Sequence, residues 1–138
     1  MLLLLLSACG TQSAPEEEIR ALVDLAESAA EERDSLALRA LVADDYADPQ
    51  GRSAADLRNY LHGYLIAHPS IRLITRIDSI QLEGNELARV AVTVGMLGRE
   101  ADADSNWDFA GEVHRLDLRL AREDGEWRVI RASRQDGR

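Results

Sequence analysis

The sequence predicts an α+β domain, with three N-terminal helices packed on one side of a curved antiparallel sheet. Three observations carry this reading. Apolar residues recur at helical spacing as far as Leu65 and at a spacing of two from Ile71 onward. Short turn-forming clusters separate the alternating segments, as in a meander of hairpins. The 138 residues suffice for one core and not for two.

Ser13-Ala14-Pro15-Glu16 opens the first helix as a capping box, and Glu16, Glu17 and Glu18 suit its positive end. Its apolar stripe is Ile19, Leu22, Val23, Ala26, Ala29 and Ala30. Asp34 or Ser35 caps a short second helix carrying Leu38, Leu41 and Val42. Residues 44–52 form a loop containing Pro49 and Gly51. Ser53-Ala54-Ala55-Asp56 caps a third helix, whose Leu57, Tyr60, Leu61, Tyr64 and Leu65 share a face. That helix ends at His68, because the residue before a proline avoids the helical region.

The first strand runs from Ile71 to Leu82. Leu73, Thr75 and Ile77 share one parity and Ile80 and Leu82 the other, so a bulge near Asp78 is needed to bring both sets to the core. Glu83-Gly84-Asn85 turns into a strand with Ala88, Val90, Val92, Val94 and Met96 on one face. Residues 99–107 form an acidic loop. Leu116, Leu118 and Leu120 then alternate with Arg115, Asp117 and Arg119, and Glu123-Asp124-Gly125 turns the chain. Trp127, Val129 and Arg131 share parity on the last strand, which predicts an inward Arg131.

Composition excludes several functions. The net charge of -9 is the wrong sign for a nucleic-acid binder. All 16 basic residues are Arg, so no Schiff-base or phosphate-loop lysine exists. One Cys excludes an intramolecular disulfide and a cysteine-rich zinc site. No cofactor motif is present, and the three histidines (His62, His68 and His114) lack metal-ligand spacing. Asp102-Ala103-Asp104-Ser105-Asn106 opens like a calcium loop, but Trp107 stands where Gly is required and Val113 where a bidentate Glu is required.

The N-terminus reads as an address. Leu2 to Leu6 are too few to span a bilayer, which takes ~20 apolar residues. Leu6-Ser7-Ala8-Cys9 resembles the bacterial lipobox, in which the Cys is lipidated and becomes the mature N-terminus. Residues 1–8 are then a signal peptide, 9–14 the lipidated Cys and tether, and 15–138 the domain. The missing basic segment before Leu2 points to a start codon further upstream. The resemblance implies a bilayer partner through an acyl anchor and, with no Asp after Cys9, an outer-membrane lipoprotein facing the periplasm.

The domain resembles the nuclear transport factor 2-like (SnoaL-like) proteins over residues 16 to 135. The residues that carry the resemblance are Leu41-Val42-Ala43-Asp44-Asp45-Tyr46-Ala47-Asp48 leading into Gly51-Arg52-Ser53. The Glu123-Asp124-Gly125-Glu126-Trp127-Arg128-Val129 hairpin and the Ile80-Gln81-Leu82-Glu83-Gly84-Asn85 turn support it. It implies a cone-shaped fold with a pocket between helices and sheet, and dimerisation through the outer sheet face. Arg89, Arg115, Asp117, Arg119 and Arg128 make that face strongly charged, which argues against a large apolar interface and leaves a polar dimer through Arg–Asp pairing open.

The candidate pocket residues are Tyr46, Tyr60, Tyr64, Trp107, His114, Trp127 and Arg131. Tyr60 and Tyr64 are four apart on one helix face and belong either to the core or to the pocket. Arg131 is expected to bind an anion or to pair with Glu112 or Asp108. His114 with Glu112 is the smallest acid–base kit in the chain, and Asp48 becomes a general base where desolvation raises its pKa. The readings that follow are a non-catalytic binding or accessory domain, a small isomerase, cyclase or dehydratase using His114 with a carboxylate, and a structural envelope protein with a filled cone.

Overall fold

A computed structural model describes residues 14–99 and 108–135, with backbone alone for 97–99 and 108–112. Three helices, α1 (Ala14–Glu31), α2 (Ser35–Ala40) and α3 (Ala54–Ala67), precede four strands. These are β1 (Ser70–Glu83), β2 (Leu87–Arg99), β3 (Asp108–Glu123) and β4 (Glu126–Arg134). The strands pair in sequence order as one antiparallel sheet.

Local chemistry accounts for the boundaries. Ser53 and Asp56 form the full reciprocal capping box of α3. Asp34 caps α2 by accepting from the N–H of Ala37 at 3.0 Å. The end of α1 is a Schellman motif: Asp34 N–H bonds Ala29 O, Arg33 N–H bonds Ala30 O, and Arg33 takes a left-handed φ of 58°. Arg33 remains anchored there by a hydrogen bond from its guanidinium to Leu65 O at 3.2 Å. Asp124 and Gly125 both have positive φ, the conformation a two-residue hairpin turn demands between Glu123 and Glu126.

Two bulges govern which side chains face the helices. In β1 the register slips between Ile77 and Ser79, which sends Asp78 outward and brings Ile80 and Leu82 back to the inner face. The parity slip in the sequence required this. The second bulge overturns an expectation. Between Arg119 and Leu120 the register against β4 slips, so Leu120 faces Val129 while Arg119 faces Arg131, leaving Ile130 as the extra residue. Arg131 therefore lies on the outer face, not in the cone, and Arg134, opposite Leu116, takes the inner face.

The core sits between α1 and the inner face. Ile19 and Val23 pack on Ala88, Val90, Val92, Leu120 and Trp127, with Ile19 and Leu120 fully buried. Each such side chain contributes about 1.5–3 kcal/mol through burial. A second cluster joins Val42, Tyr46 and Ala54 beside β4. The segment before α3 is stitched to the free edge of β4: Val129 N–H bonds Leu41 O, Ala43 N–H bonds Val129 O, and Ala47 N–H bonds Ile130 O. The direction of α1 follows from its contacts. Glu18 near its start reaches Trp127 beside the hairpin turns, and Glu31 at its end accepts from Leu73 N–H at the opposite end of the sheet.

Candidate functional site at the polar end of the inner face

The inner face changes character along its length. Near the hairpin turns its cross-strand rows are apolar: Leu82, Ala88, Leu120 and Val129, then Ile80, Val90, Leu118 and Ala132. In the next row Ile77, Val92 and Leu116 end on Arg134, and in the one after it Thr75 and Val94 lead to His114. The polar end is the one away from both hairpins.

His114 is half-buried, on the inner face as its parity requires. A guanidinium nitrogen of Arg134 lies 2.7 Å from its Nδ1. Arg has donors and no acceptor, so this contact assigns a neutral ring with a bare Nδ1 and the proton on Nε2. At the opposite side of the row, the Thr75 hydroxyl donates to the Glu27 carboxylate on α1.

Helix α3 reaches this end through Tyr64. The Tyr64 hydroxyl contacts Met96 Sδ at 3.7 Å. Met96 is the diagonal neighbour of His114 across β2 and β3, at about 7–8 Å for such pairs. His68 stacks on Tyr64 with centroids 4.0 Å apart and an interplanar angle of 19°. Its Nδ1 lies 3.0 Å from Tyr64 O, so that nitrogen carries the proton. Tyr60 lies 6.1 Å from Tyr64 but is 52% exposed, with the Arg52 guanidinium 5.1 Å from its ring.

Tyr46 is 3% exposed and joins the core through its ring. Its hydroxyl donates to Asp48 Oδ2 at 2.9 Å, with Ala132 O at 3.5 Å. Burial first, then the neighbouring Asp48, push the phenol up to about 12. Burial works against the Asp48 charge, yet the Arg52 N–H, the Tyr46 hydroxyl and the Gln50 N–H together hold its carboxyl below the ordinary 3.8. A working general base requires the opposite displacement. Asp48 is the closing side chain of the turn before α3.

The expected pocket residues thus divide. Tyr64 reaches Met96, the diagonal neighbour of His114, and Tyr46 lies beside β4. Trp127 is at the far end, eight residues of β3 from His114 when measured at its partner Arg122, or about 27 Å. There it is 5% exposed, donates to Glu18 Oε2 at 3.0 Å and lies under the Arg122 guanidinium at 4.4 Å. Glu18 and Arg122 close this cluster with an ion pair of 2.7 Å, so Trp127 seals the core and does not share a pocket with His114. Cys9, Trp107 and the calcium-like loop lie outside the described residues, as does the Glu112 side chain; the backbone of Glu112 pairs with Met96.

Sequence reasoning missed Arg134, His68 and Met96 as site residues. Arg134 was hidden by the second bulge. The adjacent apolar pair Val129-Ile130 breaks strict alternation and was the available signal for it. Among the described residues no helix is long and apolar enough to cross a membrane, and no group of three His, Cys, Asp or Glu side chains converges as metal ligands.

Comparison with solved structures identifies the architecture. A candidate scytalone dehydratase from Novosphingobium aromaticivorans superposes with a TM-score of 0.74 at 15% identity, over 86% of this chain and 81% of that one. A candidate dehydratase of the nuclear transport factor 2-like family from Streptomyces avermitilis gives 0.73 at 13% identity, over 87% and 94%. A protein of unknown function from Shewanella oneidensis with the same family likeness gives 0.65 at 16%, over 88% and 99%. No family model and no curated protein matches the sequence significantly. The domain has the nuclear transport factor 2-like fold, an α+β cone of helices on a curved antiparallel sheet.

Proposed function

We propose that the domain binds a small polar molecule at the polar end of its cone without transforming it, and that Cys9 anchors it by a lipid to the outer membrane, facing the periplasm. The observation that carries the binding reading is the Arg134–His114 contact. It sets a guanidinium beside an imidazole at the edge of an apolar floor of Val92, Val94 and Leu116, with Tyr64 of α3 against Met96 of the same face. A cationic guanidinium over an apolar floor favours a ring or chain bearing a carbonyl or carboxylate oxygen. The Asp48 carboxylate, already accepting three hydrogen bonds, has little capacity left for a proton from substrate. The anchor rests on the lipobox-like Leu6-Ser7-Ala8-Cys9.

A second reading is a dehydratase-type enzyme in which His114 works with a carboxylate. It is favoured by the place of His114 on the inner face and by solved neighbours described as candidate dehydratases. Titration of the isotope-labelled domain with cyclohexenone, followed by the amide resonances of Val94, Met96 and Leu116, separates the two. Binding predicts saturable shifts, lost in H114A, with the ketone recovered unchanged. Conversion of the ketone, or of its hydroxy adduct, would transfer the case to the enzyme. For the anchor, incorporation of labelled palmitate into the full chain is expected and should vanish in C9A.

A further inference from the structure

We infer that the outer face of the sheet carries a second binding site, a groove for a small oxyanion such as a phosphate ester or a carboxylate. It is separate from the cone and independent of the function proposed for it. Successive outward rows build it. One row, Ser79, Ala91, Asp117 and Ser133, is mostly small; the next, Gln81, Arg89, Arg119 and Arg131, is tall. Small residues beside long ones leave a trough across the strands, and a depression of about 360 Å³ lies there, lined by members of both rows. That volume is at the lower end for small-molecule sites.

The three arginines are the unusual feature. Arg89 faces Arg119, and Arg119 faces Arg131, directly across neighbouring strands. Strands lie about 4.8 Å apart, so three guanidinium stems rise within about 10 Å. Like charges directly opposite destabilise a sheet, and this row stands in a chain of net charge -9. Glu83 lies 3.2 Å from Arg89 and 3.9 Å from Arg119. Arg131 has no ion pair among the described residues. The β4 bulge is what turns Arg131 into this row; bulges re-aim side chains in this way beside functional sites. Guanidinium groups bind oxyanions through paired N–H donors, and the Ser79 and Ser133 hydroxyls add further donors along the trough. Asp117 carries the opposing charge, but Gln135 Nε2 donates to it at 2.7 Å and occupies one oxygen.

The test is titration of the isotope-labelled chain with inorganic phosphate and, separately, with citrate, at fixed ionic strength. Saturable amide shifts at Ser79, Ser133 and Arg131 are expected for at least one anion, and the tighter of the two assigns phosphate or carboxylate chemistry. R131Q should weaken binding about tenfold or more. D117N should tighten it by about threefold, because it removes repulsion and leaves the fold intact. H114A should leave it unchanged, which separates this site from the cone. Shifts that sodium chloride reproduces, or that R131Q does not alter, would overturn the proposal. So would a dimer that covers the groove and forms equally well in R131Q, read by sedimentation velocity.

Discussion

The two faces of the sheet use the same four strands under different constraints. On the inner face, Val90 and Leu120 are buried almost completely against Ile19 and Val23, so size and apolarity are dictated at each position. On the outer face, Ile74 is 63% exposed and Val113 68%, with the Arg89, Arg119 and Arg131 row further along the strands. Folding demands the inner pattern and merely tolerates the outer one. A costly arrangement on the tolerated side therefore calls for a reason other than stability, whereas a costly change on the dictated side is paid in stability at once.

The strongest way to break the distinction is to exchange the faces. Inserting one alanine between Ile130 and Arg131 moves Arg131 into the place of Ala132, opposite Leu118. Burying that charge without a partner is expected to cost about 3–5 kcal/mol, a large part of the stability of a domain this size. Urea unfolding measures it, and an unchanged midpoint would show that the register beyond the bulge does not hold the faces apart.

Next in size is a pair of truncations on one strand. Leu120→Ala should cost about 2–5 kcal/mol because Leu120 is wholly buried. Val113→Ala, at 68% exposure, should stay within about 0.5 kcal/mol. Equal effects would refute the asymmetry between the faces.

Tyr46→Phe should cost about 0.5–1.5 kcal/mol at neutral pH, through the lost hydrogen bond to Asp48. The Asp48 carboxyl is held below 3.8 in the fold. Its contribution is therefore complete above the unfolded pKa and lost as pH falls through the folded one. The gap between wild type and Tyr46→Phe should narrow below about pH 4; a gap that is constant with pH would separate the phenol from that titration.

The smallest effect belongs to Glu123, whose carboxyl is raised above 4.5 by burial first and then by Asp45 and Asp44. The sign is opposite to that of Asp48. Its protonated form is favoured in the fold, so the stability it adds is present below the unfolded pKa and fades as pH rises through the folded one. Glu123→Gln should raise the melting temperature slightly at neutral pH and leave it unchanged near pH 3. Thermal unfolding at the two pH values would contradict the repulsion if the mutant is less stable at pH 7.

Much of this architecture was legible in the residues. Ser53 and Asp56 announce a capping box, Asp124-Gly125 a tight hairpin, and the parity slip between Ile77 and Ile80 a bulge, because each is a local rule with local consequences. The inward Arg131 failed because strict alternation was carried through Val129-Ile130, where the register against β3 changes. Local sequence cannot fix a register that depends on the partner strand. The site was legible in part for the same reason. The inward direction of His114 follows from its own strand, but its partner Arg134 comes from the strand beyond the bulge. The separation of Trp127 from His114 was hidden as well, since shared parity says which face a residue takes and not how far along it lies.

The course of α1 has a consequence for orientation. Glu18 ties the start of this helix to Trp127 and Arg122 at the hairpin pole, while Glu31 ends beside Leu73 at the other pole. The chain therefore enters the fold at the pole farthest from His114 and Arg134. Cys9 precedes Ala14 by five residues, a reach of no more than about 18 Å. An acyl chain on Cys9 would moor the molecule by its hairpin pole, leaving the polar end of the cone pointed away from the bilayer, like a cup standing on its base.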